Sequence, residues 1–268
     1  MNLYRRFLIL IISITTVSIA HAAGMQPERA ERGMVVSVHA LASEAGVEMM
    51  RAGGNAIDAA VATGFALAVV HPSAGNIGGG GFMLIRLENG KTHFLDFREK
   101  APGKATPTMY QDSDGNVIPG LSRLGYLASG VPGSVKGLVH AQERFGKLTL
   151  AQVMAPAIRL AREGYALSWG DARSMSTNEG LAQFPDSKRI FQNDGKGWKQ
   201  GDVFRQPEQT PETSYAVLAG VDPQPYRAEA EVGHGEQHVL RGRRAILHPV
   251  ALMLFRGDIA AYKDGDGR

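Results

Sequence analysis

Two segments near the start of the chain carry the apolar spacing of α-helices. Residues 41–52 repeat apolar side chains at helical intervals and are followed by a Gly-Gly pair, which permits a left-handed helix end. The next predicted helix spans residues 56–70, with Asn55 as its cap and Asp58 in its first turn. Its other side chains leave almost no polar face, so we expect this helix to be buried on all sides.

Later segments repeat the helical pattern, with less regular stretches around them. Ser134 caps one predicted helix, which runs to Phe145, and residues 150–163 form another that opens with a capping box of Thr149 and Gln152. The β-prone run at residues 34–39 predicts a partly buried strand. Residues 105–129 are rich in turn residues and predict surface loops, and residues 169–201 are more polar and loop-rich, with an exposed turn at residues 195–201.

A β-hairpin is predicted between these helical regions. Residues 82–87 and 92–98 are strand-like, and the Asn89-Gly90 pair between them favours a type I′ turn with two positive φ angles. The two-residue period of a strand places Phe94, Asp96 and Arg98 on one face. Arg98 then lies at a strand end, where its planar fork suits a carboxylate.

Four consecutive glycines, residues 78–81, precede the hairpin. Without Cβ atoms they permit positive φ angles and a close approach of another backbone or a ligand. Together with Arg98 they predict an anion-binding site. The alternative is that Asp96 and Arg98 pair with each other and only tie the end of the hairpin.

The amino terminus predicts export. Residues 1–22 combine Arg5-Arg6, an apolar run and an Ala-His-Ala cleavage motif, which is typical of a secretory signal peptide. The apolar run of about fourteen residues is shorter than the ~20 that span a bilayer, so we expect no membrane anchor after cleavage. The mature protein is then periplasmic or secreted. The absence of cysteine excludes disulfides and thiolate chemistry.

Charge and motif spacing exclude several function classes. The formal net charge of +3 falls to +1 once the leader arginines are removed, and the remaining cations are scattered, so no nucleic-acid partner is expected. The glycine run lacks the spacing of a phosphate-binding or dinucleotide-binding loop. The histidines lack metal-ligand spacing, and the Asp112 loop lacks the glutamate of a calcium site. We expect no metal and no cofactor.

Five motifs resemble the gamma-glutamyltransferase (glutathione hydrolase) family, and they occur in the family's order. They are GGNAIDAA at residues 53–60, GNIGGGGFM at 75–83, DFREKAP at 96–102, SGVPG at 129–133 and PAIRLAREG at 156–164. The resemblance extends from about residue 33 to residue 208 and corresponds to most of the family's large subunit.

The resemblance implies an N-terminal-nucleophile hydrolase with an α/β (α+β) fold, a four-layer αββα sandwich of which only the large-subunit part is present. It implies cleavage of the γ-glutamyl amide of glutathione, with transfer to water or an acceptor amine by a threonine that begins the small subunit. Arg98 is then the substrate-binding residue for the α-carboxylate. The chain ends before the threonine's position, so no catalytic residue is assigned, and Thr210 and Thr213 lack the matching context.

The resemblance also predicts the domain limits. Residues 1–22 are the signal peptide, residues 23–208 the large-subunit-like region, residues 209–256 an atypical segment that we attribute to compensating frameshifts, and residues 257–268 a family-like tail. We therefore expect the chain to be inactive alone and to need a small subunit as its partner. The alternative function is a secreted, non-catalytic protein that binds a small carboxylate through the glycine turn and Arg98.

Overall fold

A computed structural model of the chain describes residues 28–206 and the backbone of residues 227–231. The predicted signal peptide, most of the atypical segment and the family-like tail lie outside these residues, as do Thr210 and Thr213. The contacts divide the chain into a unit of residues 1–31, whose described residues 28–31 are exposed, and a unit of residues 32–268.

Seven α-helices, two short 3-10 helices (Tyr126–Ala128 and Asn193–Gly195) and five strands make up the described part of the second unit. In chain order the α-helices and strands are α1 (Ala40–Arg51), α2 (Ala56–Val70), β1 (Phe82–Arg86), β2 (Thr92–Asp96), α3 (Ser134–Phe145), α4 (Leu150–Glu163), β3 (Tyr165–Ala166), α5 (Trp169–Thr177), α6 (Glu179–Ala182), α7 (Pro185–Phe191), β4 (Val203–Phe204) and β5 (Arg227–Glu231). The predicted limits of α2 and α4 are confirmed, α3 begins one residue earlier than predicted, and α1 is shifted by one residue.

Helix α2 lies at the centre of the helical layer. It contacts α1, α3 and α4, and eleven of its residues are buried, as its apolar composition predicts. The Asn55 side chain accepts hydrogen bonds from the backbone N–H groups of Ile57 and Asp58 at 2.9 and 3.1 Å. The Asp58 carboxylate in turn accepts a hydrogen bond from the backbone N–H of Asn55, which completes a capping box.

The Asp58 carboxylate also joins α2 to the connection between α3 and α4. Its side chain is completely buried, and its oxygens accept hydrogen bonds from the backbone N–H groups of Lys147, at 2.9 and 3.1 Å, and Leu148, at 3.2 Å. Asn55 adds a bond from its side-chain amide to the carbonyl of Phe145 at 2.6 Å. The residues of a helix cap predicted from local sequence therefore also form hydrogen bonds to a segment about 90 residues away in the chain.

Strands β1, β2 and β5 form an antiparallel sheet in the order β1-β2-β5, and β3 pairs with β4. The register of β1 and β2 pairs Leu84 with Phe94 and places their side chains on one face. On the opposite face, Ile85 and Leu95 are buried in the core with the helices. The outer face is open among the described residues, since Leu84 is 41% exposed.

The hairpin turn is not the predicted type I′ turn. Gly90 has a φ of +84°, but Asn89 does not have a positive φ angle. The N–H of Gly90 donates to the carbonyl of Leu87 at 2.9 Å, and the N–H of Leu87 donates to Lys91 at 2.8 Å. This is a type I turn closed by a glycine bulge, a geometry that needs only one left-handed residue.

Two other predictions from the sequence are wrong. Residues 34–38 do not form a strand, because they have no ladder partner among the described residues; Val35 is buried, whereas Val36 and Val38 are exposed. Residues 169–201 contain the helices α5, α6 and α7 rather than only loops. These helices are short and are started by local caps, such as Ser168 before α5 and Asn178 before α6.

The described residues thus form one helical layer against one face of a sheet, an α/β arrangement whose core contains residues of α1 to α5, β1 and β2. Among the described residues, no helix has both the length and the apolar composition needed to cross a bilayer.

Candidate functional site

Arg98 lies two residues after the end of β2, at the rim of the hairpin. Its Nε donates to Glu99 Oε2 at 3.2 Å, and its side chain is 63% exposed. The two Nη nitrogens have no hydrogen-bond partner among the described residues. One edge of the guanidinium is thus held by Glu99, and the Nη donors find no acceptor within the part of the chain that the structure describes.

An aromatic pair supports the guanidinium. Arg98 Cζ lies 5.7 Å from the centroid of the Phe82 ring, which itself stacks on Phe94 with centroids 5.5 Å apart. Phe82 and Phe94 belong to the outer face of the sheet, so Arg98 follows the face that the two-residue period predicts. A cation over an aromatic face gains electrostatic attraction and loses side-chain freedom, which orients the fork.

Asp96 does not neutralise the guanidinium as the alternative interpretation requires. Its Oδ1 instead accepts a hydrogen bond from the backbone N–H of Arg98 at 3.1 Å. The ion-pair partner is the neighbouring Glu99. The interpretation of an Asp96–Arg98 pair that only ties the hairpin end is therefore wrong.

A solvent-open depression of about 330 Å³ surrounds Arg98. It is lined by Asp96, Arg98, Glu99, Lys100 and Ala101. Two cationic and two acidic side chains share this small surface. Such a lining can bind a molecule that carries both a carboxylate and an ammonium group, because each charge finds an opposite one nearby.

The glycine run lies directly over the backbone of Arg98. A Cβ atom on Gly80 would come within 2.6 Å of the Phe97 carbonyl and 2.8 Å of Arg98 Cα. None of the four glycines has a positive φ angle, so that part of the prediction is wrong. The close approach of a second backbone is what requires glycine here.

Two glycine backbones are already engaged inside the protein. The carbonyl of Gly79 accepts from the N–H groups of Gly133, at 2.7 Å, and Ser134, at 3.0 Å, and Gly81 exchanges backbone hydrogen bonds with Phe97. The Gly79 N–H donates to Asn76 Oδ1 at 2.9 Å. The run therefore supports the backbone around Phe97, and the N–H groups of Gly79 and Gly81 are already used within the protein.

Asn76 and Ser134 form a hydrogen bond beside the glycine run that the sequence did not reveal. The Ser134 hydroxyl donates to Asn76 Oδ1 at 2.6 Å, across 58 residues of chain. The sequence predicted that Ser134 caps α3, but Gly133 is the residue at that position, and no side chain caps the helix. Ser134 is the first helical residue, and its hydroxyl is directed to the glycine loop.

Burial shifts the pKa of His39 and of Tyr165 on the helical side. Burial lowers the pKa of His39, an effect to which His71 adds and which Asp171 and Glu44 oppose. His39 Nδ1 accepts from the N–H of Leu41 at 3.3 Å, so this histidine caps α1. Burial and the charge of Asp171 raise the pKa of Tyr165. Within residues 28–206, no cluster of His, Asp and Glu could hold a metal ion.

Fold and site describe an α/β protein with a half-satisfied guanidinium at a hairpin rim. The family model for gamma-glutamyltranspeptidase matches residues 42–215, so the chain belongs to this family. The resemblance and the α/β fold class predicted from the sequence are both confirmed.

Relatives and solved structures agree with this assignment. The glutathione hydrolase proenzyme of Pseudomonas sp. (strain A14) is 53% identical over 184 residues, which are 68% of this chain and 32% of that protein. The glutathione hydrolase proenzyme of Escherichia coli (strain K12) is 48% identical over 182 residues, which are 67% of this chain and 31% of that protein. The chain spans about a third of the length of these curated relatives.

The crystal structure of Helicobacter pylori gamma-glutamyltranspeptidase superimposes with a TM-score of 0.68 at 47% identity, over 72% of this chain and 56% of that one. The fold of the described residues is therefore the fold of a gamma-glutamyltranspeptidase.

Proposed function

We propose that this chain supplies the donor-binding half of a glutathione hydrolase, with Arg98 holding the α-carboxylate of the γ-glutamyl group. The observation that carries the proposal is the guanidinium itself, fixed by Glu99 and Phe82 with its Nη donors unfilled among the described residues. A planar fork with two parallel donors matches a carboxylate in a bidentate contact.

The other groups around Arg98 suit the rest of an amino-acid head. A γ-glutamyl donor carries an α-ammonium group beside its α-carboxylate, and Asp96 and Glu99 provide acidic oxygens in the same depression. The family name of the relatives, glutathione hydrolase, is consistent with a donor of this chemistry. The chain thus binds and orients the donor.

The covalent step needs a group from outside this chain. In the proposed reaction, a threonine hydroxyl from a small subunit attacks the γ-glutamyl carbonyl, and its proton is transferred to the departing amine as the C–N bond breaks. Water or an acceptor amine then attacks the resulting ester and releases the threonine. Binding at Arg98 contributes by positioning the carbonyl.

Isothermal titration of the full chain with L-glutamate tests the proposed site. We expect Arg98→Ala to raise the Kd at least about tenfold, because a charge-assisted bidentate contact is lost. Arg123→Ala, which removes an exposed loop arginine, is the matched control and should leave the Kd unchanged. Equal affinity of wild type and Arg98→Ala would contradict the proposal.

Turnover of a chromogenic γ-glutamyl anilide tests the need for a partner. We expect no release above a heat-killed control by the chain alone, and release after co-expression with a threonine-led small subunit of the family. Release by the chain alone would contradict this division of labour. Glutamate binding without any restored turnover is the behaviour of a non-catalytic binding protein.

We further propose that the chain is exported to the periplasm or the medium after cleavage before Ala23. The proposal rests on the charged start, apolar run and small-residue motif of residues 1–22. Amino-terminal sequencing of protein from periplasmic and culture fractions tests it. A mature protein that starts at Met1 in the cytoplasmic fraction would contradict it.

A further inference from the structure

Asn76 joins the glycine loop to the start of helix α3. Its Oδ1 accepts two hydrogen bonds, one from the Gly79 N–H at 2.9 Å and one from the Ser134 hydroxyl at 2.6 Å. Its Nδ2 donates to the Ala74 carbonyl at 3.2 Å, which fixes the orientation of the amide. One side chain therefore holds a loop and a helix that lie far apart in sequence.

The backbone strengthens the same junction. Helix α3 has no side-chain cap, and the Gly79 carbonyl accepts the N–H groups of Gly133 and Ser134 in its place. Ser134 is buried, with only 6% of its surface exposed. A buried hydroxyl that loses its acceptor destabilises the fold, so the Ser134–Asn76 hydrogen bond is favoured over an unpaired Ser134.

Both parts of this junction lie close to the peptide that precedes Arg98. A Cβ on Gly80 would meet the Phe97 carbonyl at 2.6 Å and the Cα of Arg98 at 2.8 Å, so no Cβ fits there. A Cβ on Gly133 would also overlap the Phe97 carbonyl. The peptide that precedes Arg98 is therefore in close contact with both the loop and the helix start.

We propose that Asn76 and Ser134 are positioning residues for Arg98, acting through the glycine loop and the start of α3 to set the direction of the guanidinium. This proposal rests on the proposed function of Arg98 and adds two residues to that site. Neither residue contacts the depression around Arg98, so their effect on binding passes through the backbone. A small displacement of the backbone at Arg98 is enlarged at the end of its long side chain.

The binding test uses the full chain and L-glutamate. We expect Ser134→Ala and Asn76→Ala each to raise the Kd about fivefold or more, with the stoichiometry unchanged. Ser134→Thr keeps the hydroxyl and should stay close to wild type. Ser113→Ala, in an exposed loop, is the matched control and should have no effect.

A double-mutant cycle separates positioning from general structural damage. In the Arg98→Ala background, Ser134→Ala should produce no further change in Kd, because the positioned group is already absent. An equal loss in both backgrounds would overturn the proposal. So would an unchanged Kd with a lower fraction of binding-competent protein.

A ligand-free readout keeps the inference separate from the proposed function. The NMR signal of the Arg98 Nε–H group reports its bond to Glu99 and its place over the Phe82 ring. We expect Ser134→Ala to shift or broaden this signal, and Ser134→Thr and Ser113→Ala to leave it in place. An unchanged signal in Ser134→Ala would overturn the positioning role, whether or not the wild type binds glutamate. A changed signal, together with a wild type that does not bind glutamate, would support the positioning role and contradict the proposed function.

Discussion

Charged side chains differ in burial and in hydrogen bonding between the helical layer and the rim of the hairpin. Asp58, in the helical layer, is fully buried and accepts hydrogen bonds from three backbone N–H groups. Arg98, at the rim, is 63% exposed and has one acidic partner. The buried carboxylate of Asp58 thus accepts hydrogen bonds from several nearby N–H groups, whereas the exposed guanidinium of Arg98 keeps unfilled Nη donors among the described residues.

The energetic reason for this difference lies in desolvation. A buried carboxylate has lost its water and is stable only when protein donors replace that water, so its partners must be complete. An exposed guanidinium exchanges water for a ligand at little cost, so an unfilled edge can persist. The comparison therefore predicts that stability and binding respond to different substitutions.

Asp58→Ala should produce the largest change in stability. Removal of the carboxylate leaves the backbone N–H groups of Asn55, Lys147 and Leu148 without this acceptor. We expect a loss of about 3 kcal/mol or more in the free energy of unfolding, measured by urea denaturation. The Kd of the remaining folded protein for L-glutamate should not change.

Two variants control this prediction. Asp58→Asn keeps one carbonyl oxygen as an acceptor and should lose less stability than Asp58→Ala. Asp114→Ala removes an exposed loop carboxylate and should stay within about 0.5 kcal/mol of wild type. A change in glutamate affinity on Asp58→Ala would break the separation between the two regions.

Gly80→Ala should have an intermediate effect on stability and a clear effect on binding. The new methyl group would meet the backbone of Phe97, Arg98 and Glu99 at 2.6 to 2.8 Å, so the strand must move. We expect a loss of about 1–3 kcal/mol in stability, as for overpacked sites, together with weaker glutamate binding. Urea denaturation and calorimetry measure the two effects.

The adjacent Gly78 supplies the matched control for this prediction. A Cβ there would meet nothing within 4 Å, and its φ angle is not left-handed. Gly78→Ala should leave glutamate affinity unchanged and alter stability by no more than about 0.5 kcal/mol. Equal behaviour of the two alanine variants would show that close approach is not what the glycine run provides.

His39 should give the smallest effect, seen as a dependence of stability on pH. Burial lowers its pKa in the folded state below the ordinary 6.5, so the unfolded chain binds the proton first as the pH falls. Stability from the neutral imidazole is complete above about pH 6.5 and decreases below it. Because the side chain is only half-buried, we expect a loss of less than about 1 kcal/mol.

His39→Asn provides the comparison for this pH profile. Asparagine retains the capping acceptor at the start of α1 but does not titrate. The unfolding free energy of His39→Asn minus that of the wild type should increase as the pH falls from 7 to 5. Titration of the groups that both proteins share cancels in this difference. A constant difference across this range would contradict the assigned role of His39.

Much of the helical layer could be predicted because its limits depend on local groups. Asn55 and Thr149 fix the starts of α2 and α4 through hydrogen bonds to groups within a few residues. The strand predicted at residues 34–39 is wrong because a strand needs a ladder partner, which local sequence does not specify. The helices of residues 169–191 were missed because short, polar helices show little periodicity.

The residues of the candidate site also fall into those that the sequence predicted and those that depend on tertiary contacts. Arg98 and the face on which it lies followed from the period of a strand and from the family resemblance. Its partner Glu99, and the bond between Asn76 and Ser134, depend on tertiary contacts and were not predicted. The glycine run was predicted to allow a close approach, which is confirmed, and to adopt positive φ angles, which is wrong.

The bulged turn at Gly90 limits how this exposed loop can change in length. Strand residues alternate between faces, so a one-residue slide of β2 against β1 would direct Arg98 inward and Phe97 into solvent. Insertions or deletions of a single residue between Leu87 and Lys91 force either that inversion or a different turn geometry. A surface loop outside the depression around Arg98 therefore sets the face of the sheet on which this arginine lies.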